Sequence, residues 1–135
     1  VMKHIVVDLE MNGIEKKHRI FGCTMETIEI GAIMLDENYQ EISSFKTYVK
    51  PEYNSKIEKN ISRLTGITNN MVVNAPKFNE ALKKFSDWCL AADDDIRIYA
   101  WSKNDYKQIA KEIRLKRYDI RPEESMVYLI YRHLL

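Results

Sequence analysis

Apolar residues early in the chain follow the pattern of β-strands. The continuous β-branched run Ile5-Val6-Val7 predicts a buried strand over residues 3–9. Residues 11–25 contain two glycines and a cluster of charges, which favours a loop. Two further strands are predicted on alternating apolar residues, over residues 27–35 and 41–49. This part of the chain therefore predicts a hairpin or a meander.

The later part of the chain has apolar residues at helical spacing. Residues 77–92 predict the clearest helix, because their apolar positions recur every three or four residues and lysines lie opposite. Ser55 is the predicted N-cap of an earlier helix that ends at Thr65-Gly66, and Thr68 caps a short turn. A fourth strand and two more helices are predicted over residues 96–101, over residues 103–115 and from Pro122 to the chain end.

These elements predict a single α/β domain over residues 1–135. Three strands come first and a fourth follows helices, so we expect a mixed sheet that is antiparallel in its first three strands and parallel in the fourth. A chain of 135 residues can bury one substantial core. With 30% charged and 45% hydrophobic residues, four glycines and three prolines, the composition excludes a disordered or collagen-like chain.

The charge balance changes this picture only locally. A net charge of +1 gives no global signal for nucleic acid or membrane. Late in the chain bases outnumber acids, and two interpretations stay open there: a solvated helix face and a phosphate-binding stripe. The bases are Lys103, Lys107, Lys111, Arg114, Lys116, Arg117 and Arg121, and the acids among them are Asp105, Glu112 and Asp119.

Cysteine usage and hydropathy bear on the compartment. Cys23 and Cys89 form no CxxC pair, and no signal peptide precedes the first strand, so we expect a reduced, cytoplasmic setting. Cys89 falls on the apolar face of a predicted helix and is expected in the core. No apolar run approaches the roughly 18 residues that cross a bilayer. We therefore expect no membrane partner.

Acidic residues at strand ends are the strongest chemical signal. Asp8 and Glu10 are two residues apart in a strand, so both carboxylates point to the same side and suit one divalent metal. Asp105 follows the fourth strand and would reach the same site if that strand lies beside the first. Three converging acids are typical of two-metal phosphoryl-transfer enzymes. The alternatives are two solvated acids at a strand end and an acid stabilised at a helix N-terminus.

With these residues in place, the chain resembles the DEDD 3′–5′ exonucleases, which include the epsilon proofreading subunit and RNase T. The form of the motif at Asp105 is closest to the histone-mRNA and small-RNA trimming branch, which is DEDDh-type. Five segments carry the resemblance in order: Val7-Asp8-Leu9-Glu10-Met11-Asn12, residues 26–33, Phe45 to Pro51, Leu64-Thr65-Gly66-Ile67-Thr68, and Trp101-Ser102-Lys103-Asn104-Asp105. It implies a ribonuclease H-like sheet flanked by helices.

The resemblance also implies a mechanism and its residues. Asp8, Glu10 and Asp105 would be the catalytic metal ligands for two Mg²⁺ or Mn²⁺ ions, with Asp8 bridging both and Glu10 orienting the attacking water. The substrate would be the 3′ end of single-stranded RNA or DNA, and the product a nucleoside 5′-monophosphate. Contacts to the terminal nucleotide are expected from Met11, Asn12, Leu64, Gly66, Ile67 and Trp101. A helix C-cap with core contacts is the alternative for residues 64–67.

A third family motif, a general-base His followed by a fourth acidic ligand, is not found. His4, His18 and His133 each lack a downstream Asp at the needed spacing. We therefore expect a C-terminally truncated fold, either a fragment or a shortened relative, with activity lowered by on the order of 10²–10⁴ for the missing base alone. The apolar face of the last predicted helix favours cover by a second copy, so a homodimer is a further expectation.

Two other functions stay open on the sequence. A catalytically silent nucleic-acid-binding or assembly module would keep the same fold without the chemistry. A phosphoacceptor receiver domain also carries an Asp at a strand end, but it alternates strand and helix from the start, whereas here a loop and a hairpin follow the first strand. In relatives an acid at Glu29 supports the fold, so Glu29 is not expected to bind metal.

Overall fold

The computed structural model describes residues 1–92 and 94–116. Its sheet has the strand order β3-β2-β1-β4. Strand β1 pairs antiparallel with β2, and β2 with β3, whereas β4 lies parallel to β1. This arrangement confirms the mixed sheet expected from the sequence. The strands are β1 (Met2–Gly13), β2 (Met25–Leu35), β3 (Glu41–Tyr48) and β4 (Asp95–Ala100).

The helices of the described residues accompany this sheet. They are α1 (Lys59–Thr65), α2 (Asn69–Val72), α3 (Phe78–Leu90) and α4 (Lys103–Lys116), with a short 3-10 turn at Lys16–His18. The helix predicted from Pro122 lies outside the described residues. None of the helices within residues 1–92 and 94–116 combines the length and apolarity that crossing a bilayer requires.

The main core lies between one face of the sheet and helices α3 and α4. Alternate residues of each strand point into it, as the period of two along a strand requires. Phe78 and Phe85 of α3 are almost fully buried there, and each contributes about 1.5–3 kcal/mol by leaving water. The sheet and α4 supply the remaining centre of the cluster, including Ile5, Val7, Leu9, Ile30, Met34, Ile98, Ile109 and Ile113.

Two element boundaries differ from the prediction by more than two residues. Strand β1 continues to Gly13, because after an irregularity between Glu10 and Met11 it goes on pairing with β2, as far as Gly13 opposite Met25. The loop predicted from residue 11 is therefore too long. Helix α1 begins at Lys59 after Glu58, so the prediction of Ser55 as its N-cap is wrong.

Candidate active site

Strand β1 presents two carboxylates on the face away from the main core. Leu9 points into the core, while Asp8 is exposed and Glu10 is half-buried on the other face. Across the antiparallel pair, Gly31 lies opposite Asp8 and Glu29 lies opposite Glu10. The residue beside Asp8 thus has no side chain, and the residue beside Glu10 is a third acid.

Helix α4 brings Asp105 to the same strand. The N–H of Trp101 donates to the carbonyl of Val7 at 2.8 Å, which extends the β1–β4 pairing to the point where the chain turns into α4. Asp105, in the first turn, is only 3% exposed. Its carboxylate accepts a hydrogen bond from the N–H of Ser102 at 3.3 Å, and the backbone of Leu9 lies close enough to lower its pKa. Asp105 therefore lies near the backbone of the residue between Asp8 and Glu10.

The electrostatics of this site are those of crowded negative charge. Burial raises the pKa of Glu10, and the charges of Asp8, Glu29 and Asp105 raise it further. Burial and then the charge of Asp8 raise the pKa of Asp105 to about 6, against hydrogen bonds from Ser102 and Leu9 that lower it. Like charges are held together here, and a cation would relieve that repulsion.

The donor set fits a hard divalent cation, because carboxylate oxygens are the ligands that Mg²⁺ and Mn²⁺ prefer. Asp8, Glu10 and Asp105 supply such oxygens from β1 and α4, close enough for Asp8 and Asp105 to act on the charge of Glu10. As the side chains stand within residues 1–92 and 94–116, no three His, Cys, Asp or Glu form a closed metal-binding group. The chemistry of the residues thus favours a metal, and the role of each as a ligand stays a prediction.

Asn12 lies next to the acids but faces inward. It is fully buried. Its side-chain amide donates to the carbonyl of Lys56 at 3.0 Å, and its side-chain oxygen accepts from the N–H of Glu58 at 2.9 Å. The side chain therefore ties the segment before α1 to β1, and we treat Asn12 as a positioning residue rather than one that contacts the nucleotide through its side chain.

The other residues expected at the nucleotide are placed differently from one another. Leu64 and Trp101 are 81% and 74% exposed, which leaves both free to meet a ligand. Gly66 is the left-handed C-cap of α1, with φ of 77°, and Ile67 is buried in a small cluster with Ile28, Ile57 and Val72. The buried position of Ile67 agrees with the alternative interpretation of residues 64–67, in which its side chain makes a core contact rather than a nucleotide contact. Met11 is half-buried next to the acids.

A buried ionic network anchors α4 to β2. Glu112 accepts hydrogen bonds from the N–H and hydroxyl of Thr27 at 2.9 and 2.7 Å. Lys116 contacts Glu112 at 2.7 Å, Glu26 at 3.1 Å and Glu52 at 3.2 Å. Burial by itself lowers the pKa of Lys116, but the three carboxylates outweigh burial and raise it. The network fixes the far end of the helix that carries Asp105.

The sequence analysis does not predict this network, since Lys116 stands there among the basic residues late in the chain. The spacing of four between Glu112 and Lys116 places them on one side of a helix, which was the available signal. Glu26 lies just before the strand predicted over residues 27–35, and no local pattern there indicates a buried ion pair.

Both described histidines lie away from the acids. His4 contacts the Tyr99 hydroxyl at 3.0 Å through Nδ1, and it is four residues, or about 13 Å along the strand, from Asp8. The ring of His18 lies 5.4 Å from that of Tyr53. His133 lies outside the described residues. Neither described histidine is placed as a base for this site.

Comparisons with known proteins point to one family. The model of the exonuclease family matches residues 5–130. The epsilon subunit of DNA polymerase III from Buchnera aphidicola is 32% identical over 97 residues, covering 67% of this chain and 36% of that protein. Human 3′-5′ exoribonuclease 1 is 39% identical over 64 residues, covering 47% of this chain and 18% of that protein.

Solved structures agree with this match. The nuclease domain of 3′hExo, a DEDDh family member, bound to rAMP, superposes with a TM-score of 0.76 at 25% identity, covering 89% of this chain and 62% of that one. The chain spans well under half the length of the two curated relatives named above.

Proposed function

This chain belongs to the exonuclease family, and we propose that it is a divalent-metal-dependent 3′–5′ exonuclease that acts on single-stranded RNA or DNA. The observation that carries the proposal is the convergence of carboxylates from two elements, since Asp8 of β1 and the buried Asp105 of α4 add to burial in raising the pKa of Glu10. Carboxylates held this close together are what a phosphoryl-transfer site needs before it receives its cations.

Each of the three acids has a role in the proposed mechanism. Asp8, Glu10 and Asp105 would hold Mg²⁺ or Mn²⁺. Two such ions, when bound, would stabilise the attacking and leaving oxygens of an in-line displacement at phosphorus. Glu10 would accept a hydrogen bond from the attacking water and so aim its oxygen at the phosphorus. The bond from phosphorus to the 3′ oxygen of the preceding nucleotide would break, releasing a nucleoside 5′-monophosphate.

Neighbouring residues would position these acids and the terminal nucleotide. The hydrogen bond that Asp105 accepts from the N–H of Ser102 would hold its carboxylate in one orientation. Asn12 fixes the segment that leads into α1, whose exposed Leu64 would pack against the terminal base. Trp101 would offer a second exposed apolar surface, the kind of sequence-tolerant contact that single strands make with aromatic side chains.

A specific observation favours a second candidate, a nucleic-acid-binding module with low or absent activity. His4 and His18 are both engaged elsewhere, so the described residues place no imidazole base near the acids. Loss of a general base lowers a rate by on the order of 10²–10⁴. Binding to a strand would persist without it.

The test compares two single-acid variants on a 3′-labelled single-stranded oligonucleotide in Mn²⁺. We expect the unaltered chain to release labelled nucleoside 5′-monophosphate, Asp8→Ala to release none above background, and Asp87→Ala, an exposed acid on α3, to match the unaltered chain. A 5′-labelled copy should shorten one nucleotide at a time. Equal release by Asp8→Ala would contradict the proposal, and saturable binding without release by any of the three would support the module.

A further inference from the structure

The exposed side of α4 carries a row of bases with no acid among them. The acids of this helix, Asp105 and Glu112, are both turned inward and buried. The bases form no ion pair within the part of the chain that the structure describes. They are Lys103, Lys107, Lys111 and Arg114, all exposed, and the row extends about 16 Å along the helix axis.

Helix α3 is a useful contrast, because it packs on the same core with a neutralised surface. Its exposed lysines each meet an acid four residues away: Lys83 contacts Asp87 at 2.9 Å, and Lys84 contacts Glu80 at 3.8 Å. This is the pattern of an ordinary solvated helix face. The surface of α4 departs from that pattern.

The charges of α4 also run against helix stability. Lys103, Lys107 and Lys111 follow one another at four-residue spacing, where like charges repel. Lys103 lies at the helix N-terminus, where the macrodipole disfavours a cation. Helix formation therefore does not account for this row, whereas an anionic ligand would.

An aromatic platform lies at the far end of the row. The guanidinium of Arg114 lies over the ring of Phe21, 4.3 Å from its centroid. Phe21 is 51% exposed and has a φ of 55°, a left-handed conformation that bulky residues rarely adopt. Its loop is fixed to α4 by a small core of Ile14, Cys23 and Leu115 with Tyr53 packed against it.

An open cavity adjoins this platform. Its volume is about 480 Å³, and its lining combines aromatic and basic side chains, among them Lys17, His18, Phe21 and Tyr53. Basic side chains next to exposed aromatic rings are typical of surfaces that bind single-stranded nucleic acid. Phosphates contact the positive charges, and nucleobases stack on the rings.

We propose that the basic face of α4 (Lys103, Lys107, Lys111 and Arg114), with Phe21 at its end, binds the phosphodiester backbone of the single strand whose 3′ terminus lies at the acids. The inference rests on the proposed function for its direction: Lys103 is two residues from Asp105, so the row begins at the candidate active site and leads away from it. The face would hold nucleotides upstream of the one being removed. Contacts to phosphate read no sequence and serve RNA and DNA alike.

The test measures how oligonucleotide affinity depends on salt, with EDTA present so that no strand is cut. The probe is a 5′-labelled twelve-nucleotide strand, as DNA and as RNA, followed by fluorescence anisotropy. Lys107→Glu with Lys111→Glu removes two bases from the face. Lys83→Glu with Lys84→Glu on α3 changes the net charge by the same amount and is the matched control.

Each phosphate contact to a single strand adds about 0.7 to the slope of log affinity against log salt. The α4 double variant should therefore lose about 1.4 from the slope, with affinity on the order of 25-fold weaker at 0.1 M salt. The control should keep the slope of the unaltered chain. A dinucleotide probe, too short to follow the face, should be affected far less by the α4 substitutions.

The outcomes separate this inference from the proposed function. Three results would overturn the inference. Equal loss of slope in both double variants would mean that net charge alone attracts the strand. The other two are an unchanged slope in the α4 double variant and no binding by the unaltered chain. The expected slopes together with no nucleotide release in Mn²⁺ would support the face and contradict the exonuclease proposal. Nucleotide release without a slope difference would do the reverse.

Discussion

Helices α3 and α4 cover the same core and use their charges in opposite ways. On α3 the acids and bases are exposed and meet one another, as Lys83 and Asp87 do. On α4 the acids point inward, Asp105 to β1 and Glu112 to the buried network, and the bases left outside meet no acid in the described structure. Both helices have an apolar side of similar kind, so packing does not explain the difference. A helix that serves only the core can neutralise its surface, whereas α4 carries charges that ligands would complement.

The largest expected difference between the helices is in the unfolding free energy lost when a lysine is removed from the buried end of α4 or from the surface of α3. Lys116→Met leaves Glu26, Glu52 and Glu112 without their shared cation, and removing one partner of a buried ion pair costs about 3–5 kcal/mol of unfolding free energy. Lys83→Met removes an exposed pair on α3, which is worth about 0–1 kcal/mol. Urea unfolding of both variants measures the contrast. Similar losses would show that the network is no stronger than a surface pair.

Substituting Asp105 gives the next largest effect on stability, and the size of this effect depends on pH. Its folded pKa is raised to about 6 from an ordinary 3.8, so the folded chain binds the proton more tightly than the unfolded chain does. Stability from this group is complete below about pH 4 and is lost as pH rises through about 6. In EDTA at pH 7, Asp105→Asn should be more stable than the unaltered chain by up to about 3 kcal/mol.

Thermal unfolding in EDTA between pH 4 and pH 7 measures this effect. The decline of stability with pH should be smaller in Asp105→Asn than in the unaltered chain. Parallel profiles for the two proteins would mean that folding does not raise the pKa of Asp105.

The smallest expected change in stability comes from a substitution that gives α4 the paired surface charges of α3. Lys107→Glu leaves Lys103 and Lys111 in place. The two pairs that residue 107 forms with them at four-residue spacing change from like to opposite charge. Each pair changes from repulsive to attractive, a difference of about 0.4–1 kcal/mol, so the variant should gain about 0.8–2 kcal/mol of stability at low salt. Urea unfolding at low salt and at 1 M salt should show a gain that salt removes. A loss of stability would mean that Lys107 has a structural role.

Local patterns predicted the sheet and its acids because they depend only on near neighbours. The β-branched run before Asp8 and the alternation of side chains along a strand place Asp8 and Glu10 on one face. The mixed order of strands likewise follows from the order of elements along the chain. The exonuclease motifs added the family, which the match over residues 5–130 confirms.

Features that depend on contacts between distant parts of the chain could not be predicted from local sequence patterns. The register of β1 on β2 places Glu29 opposite Glu10 and carries β1 on to Gly13, and no local pattern gives a register across an irregularity. Asn12 accepts a hydrogen bond from the N–H of Glu58, 46 residues away, next to the point where α1 begins. Lys116 was grouped with the surface bases because its three carboxylate partners include two from a distant part of the chain.

The central claim is that Asp8, Glu10 and Asp105 form a divalent-metal site, and calorimetric titration with Mn²⁺ tests it most directly. At pH 6 the unaltered chain should bind Mn²⁺ saturably and release protons, detected by repeating the titration in buffers of different ionisation enthalpy. The double variant Asp8→Asn with Asp105→Asn should lose that binding, while Asp87→Asn on α3 keeps it. Mn²⁺ binding of equal affinity in the double variant, or none in the unaltered chain, would contradict the account.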